Sequence, residues 1–176
     1  MNTLRHNRPL AVAALVLIAA LSLVLGTMRS VAALAAKAEK VYAKDSDKYG
    51  SPKADLTNIV KWAGDLNAIS VATDSGDLTA EISALRDALS SPVGQGDKAL
   101  ALYTAASAAY GRITANKDVS EAQRNSATLA FYDIRSTMER LKGNEDYHRA
   151  AEKYNSAIGA FPGSLLGRKP AAEYGY

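Results

Sequence analysis

From Leu10 to Met28 the chain reads LAVAALVLIAALSLVLGTM, nineteen residues without a charge, in which only Ser22 and Thr27 carry polar side chains. At about 1.5 Å of rise per residue, a helix of this length covers roughly 28 Å, close to the hydrocarbon thickness of a bilayer. The rest of the chain is too short to build a core that wraps such a helix on every side. The segment therefore spans a membrane or directs the chain to one.

Arg5, His6 and Arg8 give this run the basic flank shared by anchors and secretory signals, and Ala33-Leu34-Ala35 or Ala36-Lys37-Ala38 could serve as a small-residue cleavage site. The apolar run exceeds the usual signal core of about 7–15 residues, and Arg29 stands where a cleavage region prefers small neutral side chains. The expectation is thus a basic tail over residues 1–9 and an uncleaved single-pass anchor over residues 10–28. Arg29, Lys37, Lys40 and Lys44 outnumber Arg5 and Arg8, a count that favours a cytoplasmic bundle. A short basic tail ahead of an apolar run looks instead like a signal-anchor that exports the domain behind it, and an extracytoplasmic bundle is expected. Ser22, Gly26 and Ser30 share one face at a spacing that lets two membrane helices approach closely, though small residues are common in any such helix.

Beyond the anchor the charges nearly cancel, since every Asp and Glu lies at or after Glu39. Signs are mixed along each segment. Without a basic stripe to displace counterions from phosphates, nucleic acid is excluded as a partner. There are no cysteines, which removes disulfides, thiolate metal sites and Cys nucleophiles. The apolar fraction leans on Ala, with only Trp62, Phe131, Phe161 and nine Tyr as large rings. Such a mixture suits close-packed helices rather than sheets.

Helix signals recur along the remainder. The membrane helix continues Ala-rich to Lys44, and a polar turn runs from Asp45 to Gly50. Ser51 and Pro52 then supply an N-cap and a proline at the first helical position. Leu56, Ile59, Ala63, Leu66 and Ile69 line one face. Thr73–Gly76 breaks the helix, and Asp77 caps a stretch that aligns Leu78, Ile82, Leu85 and Leu89. Ser90–Gly96 is a loop. Asp97 opens a helix with Ala99, Tyr103, Ala106, Tyr110 and Ile113 inward, ending at Asn116-Lys117. Asp118 with Glu121 forms a capping-box pattern for the last helix. Its stripe is Ala127, Phe131, Ile134, Met138 and Leu141, resuming across Gly143 as Ala151, Tyr154 or Asn155, Ile158 and Phe161. Pro162-Gly163 ends it, leaving residues 163–176 as a tail. The fold class expected is all-α: a transmembrane helix continuing into an antiparallel up-and-down bundle of about four helices over residues 29–162.

Candidate chemistry is sparse. His6 and His148 are the only histidines. Glu145, His148 and Glu152 share a face at spacings three and four, but one helix supplies only part of a metal shell, and charges so spaced usually form a solvated face. Ser51, Ser91 and Ser120 suit caps and turns. No nucleophile elbow or phosphate-cradling glycine loop is present. No catalytic residue, metal or cofactor is expected.

Tyr154-Asn155, Ile158 and Phe161-Pro162, followed by Leu165-Leu166-Gly167, resemble the C-terminal signature of the LemA family, bacterial proteins with an N-terminal membrane helix and an antiparallel helical bundle. Asp55-Leu56-Thr57-Asn58-Ile59-Val60 is similar to that family's second-helix motif, with Thr57 in place of its proline; Tyr147-His148 stands where the family has a second Tyr-Asn. The resemblance implies a membrane-anchored bundle and brings no catalytic residues. Tyr154, Asn155, Ile158, Phe161 and Pro162 are the candidate site. In the structural reading Asn155 satisfies buried backbone or tyrosine hydroxyls while Tyr154 and Phe161 pack on the bundle. In the functional one they form a partner-binding patch.

The functional expectation is a non-enzymatic envelope scaffold or interaction module that meets the membrane and either a protein partner or a second copy. The alternatives are a ligand-binding sensor domain and a pilin-like filament subunit. The chain lacks the Gly-Phe-Thr-Leu-Ile-Glu processing site that would resemble type IV pilins.

Overall fold

The computed structural model describes residues 8–45 and 49–174, with side chains from Ala11 onward. Arg5, His6 and most of the basic tail, the centre of the turn after Asp45, and the final Gly175-Tyr176 lie outside the described residues. The fold is all-α with an N-terminal candidate span. Its six helices among the described residues are α1 (Arg8–Ala43), α2 (Pro52–Ala72), α3 (Thr79–Ala88), α4 (Gln95–Ala115), α5 (Glu121–Lys142) and α6 (Glu145–Gly159), followed by a 3₁₀ turn (Gly163–Leu166).

Helix α1 changes character along its length. Val12, Leu15, Leu17, Ile18, Leu21 and Leu25 are all more than half exposed, and the candidate membrane window has none of its residues buried. From Val31 the helix turns amphipathic: Val31, Ala38 and Tyr42 are each 1% exposed, with Leu34, Ala35 and Val41 packed beside them. The first half is apolar with nothing to cover it; the second half belongs to the core.

The helices start where capping chemistry favours them. Ser51 Oγ accepts from the Ala54 amide at 3.2 Å, with Pro52 at the first helical turn. Asp77 Oδ1 accepts from the Thr79 amide at 2.8 Å. The capping box of α5 has the expected spacing but sits two residues later, on Ser120 and Gln123. Periodicity carries the last helix through Gly143, whereas the structure breaks it there. The cause is Asn144, 2% exposed, whose Oδ1 accepts from the Tyr147 amide at 3.1 Å and whose Nδ2 donates to the Gly50 carbonyl at 3.2 Å. An asparagine side chain that caps a new helix competes with continuation of the old one. With α3 standing apart, the four principal helices expected become six.

The packing has two storeys. α2 packs on α5, α4 and α3, and α4 on α3 and α5, whereas α1 packs chiefly on α6, with smaller contacts to α2 and the 3₁₀ turn. Leu56, Ile59, Ala63, Leu66, Leu102, Ala106, Ile113, Ala127 and Ile134 are fully buried in the upper storey. On α4, Ala99, Ala106 and Ile113 face inward as expected, but the tyrosines between them do not. Leu102 and Ala109 fill the core, while Tyr103 and Tyr110 sit half-buried at its edge, stacked on Phe131 with ring centroids 6.1 and 4.6 Å away. Tyrosine keeps its hydroxyl wet in this way while burying its ring. In the lower storey Tyr42 meets Tyr147 at 6.2 Å, which sets the antiparallel register of α1 and α6.

Candidate functional site

The candidate residues of α6 divide between two faces. Tyr154 and Ile158 point inward, 5% and 8% exposed, and Asn155 is half-buried. Asn155 holds the returning chain as a strand partner would. Its Oδ1 accepts from the Ala171 amide at 2.8 Å, and its Nδ2 donates to the Ala171 carbonyl at 3.1 Å and to Glu173 Oε1 at 2.6 Å. The Tyr154 hydroxyl donates to the Lys169 carbonyl at 3.2 Å. Asn155 thus satisfies backbone of the C-terminal segment rather than tyrosine hydroxyls between helices.

The segment expected to be a tail packs back onto the bundle. Ala171 pairs with Val93 in an isolated antiparallel bridge, and the Ala172 amide donates to the Pro92 carbonyl at 2.8 Å, which fastens the chain end to the loop before α4. Tyr174 is fully buried against the rings of Tyr147, at 5.6 Å, and His148, at 6.1 Å. Burial pushes the Tyr147 hydroxyl well above the ordinary tyrosine pKa. Nothing in the periodicity signals this closure, because the segment has neither helix nor strand pattern.

Phe161 does not pack on the bundle as the structural reading expected. It is 76% exposed and Leu165 is 70% exposed, with the half-buried Pro162 between them at the turn. The turn is tight enough that a Cβ on Gly163 would collide with the Ala157 carbonyl oxygen. The chain therefore has to leave α6 here, and Phe161 is left facing outward.

An open cleft of about 620 Å³ lies between α1 and α6. Among the described residues, Lys37, Lys40, Lys44, Arg149 and Lys153 line it against Asp45 and Asp146, over a floor that includes Val41 and Ala150. Lys37 and Lys40 come from α1 and Lys44 from just past its end, at spacings of three and four, and two more cations come from α6, more than a hundred residues later in sequence. The lysine spacing on α1 is visible in the sequence; the arginine and lysine opposite are not predictable without the fold. The cleft is suited to an anionic, partly apolar group.

Glu145, His148 and Glu152 do not converge. His148 Nε2 lies 3.1 Å from the Leu141 carbonyl oxygen, so this nitrogen carries the proton and caps the end of α5, while Glu145 and Glu152 are exposed. Among the described residues no three His, Cys, Asp or Glu side chains are grouped to hold a metal ion. Comparison with protein-family models, curated proteins and solved structures gives no match to this chain.

Proposed function

We propose that this chain is a membrane-tethered helical interaction module, LemA-like in layout, that works by binding and not by catalysis. The observation that carries the reading is the switch along α1: apolar and uncovered up to Met28, apolar and covered from Val31. A helix left bare by its own fold over that stretch finds its partner in lipid, since large bare apolar surfaces are not sustained in water. The tether is single-pass, in the cell membrane, and the bundle lies on the extracytoplasmic side, as a signal-anchor would leave it. The partner surface is the α1–α6 cleft, whose excess of cations matches an acidic segment of a protein partner.

Fractionation of cells expressing the full chain tests the tether. The protein should stay with membranes after an alkaline wash and lose its bundle to protease added outside the cytoplasmic membrane. Recovery of the unprocessed chain in the soluble fraction refutes the anchor; protection from external protease reverses the orientation. Chemical cross-linking on membranes should trap a protein with the native cleft and fail to trap it with Lys40→Glu/Arg149→Glu.

A ligand-binding sensor is the second reading. The volume of the cleft falls in the range of small-molecule sites, and its charge specifies an anion. Stabilisation of the purified chain by small carboxylates or phosphates, lost in the same double variant, would favour this over a protein partner.

A further inference from the structure

We propose that the turn carrying Phe161 and Leu165 is a second membrane contact, seated in the interfacial layer of the bilayer beside the point where α1 leaves it. This inference rests on the anchor reading and adds a surface to it. The placement follows from register. α1 and α6 run antiparallel with Tyr42 opposite Tyr147. Residues 35 and 38 of α1 and Tyr154 of α6 line one small cleft lower down. Continuing along both helices brings Ile158 level with Val31, so that α6 ends at Gly159 close to the height of Met28, where the uncharged run closes, and Phe161 follows two residues on. The 3₁₀ turn with Leu165 packs on α1 directly.

Two exposed apolar side chains at one turn would be a liability on a surface that faces only water. At this height they face the headgroup zone, which accepts aromatic and apolar side chains beside cations. The cations are present. Arg29 on α1 and Arg168 and Lys169 after the 3₁₀ turn are all exposed. Basic side chains this close to an anionic surface are drawn to it. The occupant is therefore lipid with an anionic fraction. A contact of this kind fixes the tilt of the bundle on its tether, and with it the direction in which the cleft opens.

The test uses the full chain reconstituted into phosphatidylcholine vesicles with about 30% phosphatidylglycerol. The variant Trp62→Phe/Phe161→Trp places the only tryptophan at the turn, where the exposure of Phe161 tolerates the change. Trp62 of the unaltered chain, on α2 in the upper storey, is the internal control. With lipids brominated near the headgroup end of the acyl chain, the tryptophan at position 161 should shift to the blue and lose most of its emission, while Trp62 keeps its own. Reversing the cations with Arg168→Glu/Lys169→Glu should weaken that quenching, as should omission of phosphatidylglycerol. If the protein floats with the vesicles but the tryptophan at 161 is neither shifted nor quenched, the second contact is refuted and the anchor stands. If the protein does not float, the anchor reading fails and this inference fails with it.

Discussion

Arg140 grips Asp55 across 85 residues of sequence, its Nε donating to both carboxylate oxygens at 3.1 Å. The pair ties the foot of α2 to the end of α5, one residue before the buried Leu141 and close to the corner where Asn144 starts α6 and reaches the Gly50 carbonyl. The carboxylate is 5% exposed and the guanidinium side chain 47%, so the burden of burial falls on the acid. The hydrogen bonds to Asp55 raise the Arg140 pKa further. The junction of the two storeys is thus built from a salt bridge and a capping asparagine.

Removing the arginine strands a buried carboxylate. Breaking a fully buried pair costs about 3–5 kcal/mol, and the half-exposed guanidinium lowers the expectation for Arg140→Met to about 1–3 kcal/mol. Urea unfolding of the detergent-solubilised chain should show the lower midpoint. The double variant Asp55→Asn/Arg140→Met should regain part of the loss, because no charge is then left uncompensated. A single variant as stable as the parent would mean that the bridge holds nothing.

Asn155→Ala should release the C-terminal segment without unfolding the helices. The change leaves the Ala171 amide and carbonyl without their side-chain partners and removes the contact to Glu173. A loss of about 1–2 kcal/mol is expected, confined to residues 167–174. Hydrogen exchange should speed up there and at Val93, with α2 and α5 unchanged. Tyr154→Phe, which removes one bond to Lys169, should give a smaller effect at the same residues.

These elements differ in how plainly the sequence announces them. The candidate span and its boundary are legible because hydrophobicity is the signal and exposure is its direct consequence: Met28 closes the uncharged run and Val31 opens the buried stripe. The Ser51-Pro52 start is legible because capping is local. The α4 face is half legible, since apolar spacing fits Tyr103 and Tyr110 as well as Leu102 and Ala109; only the packed partner, Phe131, decides which pair stays at the edge. The clasp of Asn155 on Ala171 and the cleft between Lys40 and Arg149 are not legible, because each joins residues whose proximity is set by tertiary packing rather than by spacing. The outward Phe161 is missed for a further reason. The stripe does not reach it: α6 ends at Gly159, Ala160 is extended, and the ring is turned away from the core.

Tyr147 gives the fold an alkaline limit. Burial raises its pKa above the ordinary value of 10.0, with nearby Tyr42 adding to the shift. The folded state holds this proton more tightly than the unfolded state does. The corresponding stability is fully present below pH 10 and falls as pH rises from there towards the folded pKa. Thermal midpoints measured from about pH 8 to about pH 11 should decline more shallowly in Tyr147→Phe than in the unaltered chain. Parallel declines would show that the hydroxyl does not carry the effect.

Gln95 supplies the opposite kind of test, a substitution expected to stabilise. The residue opens α4 and is 0% exposed, and neither its Nε2 nor its Oε1 has a hydrogen-bond partner among the described residues. A buried amide in that condition has lost its water without recovering the bonds elsewhere, a penalty of about 1–3 kcal/mol. Methionine has nearly the same length and no polar head to satisfy. Gln95→Met should therefore raise the urea midpoint of the full chain in detergent, by about 1 kcal/mol once imperfect packing of the thioether is allowed for. Gln95→Ala should lower it by opening a void at the same position. If methionine destabilises as much as alanine does, the amide is satisfied in solution, and an ordered water at the head of α4 becomes the explanation to pursue.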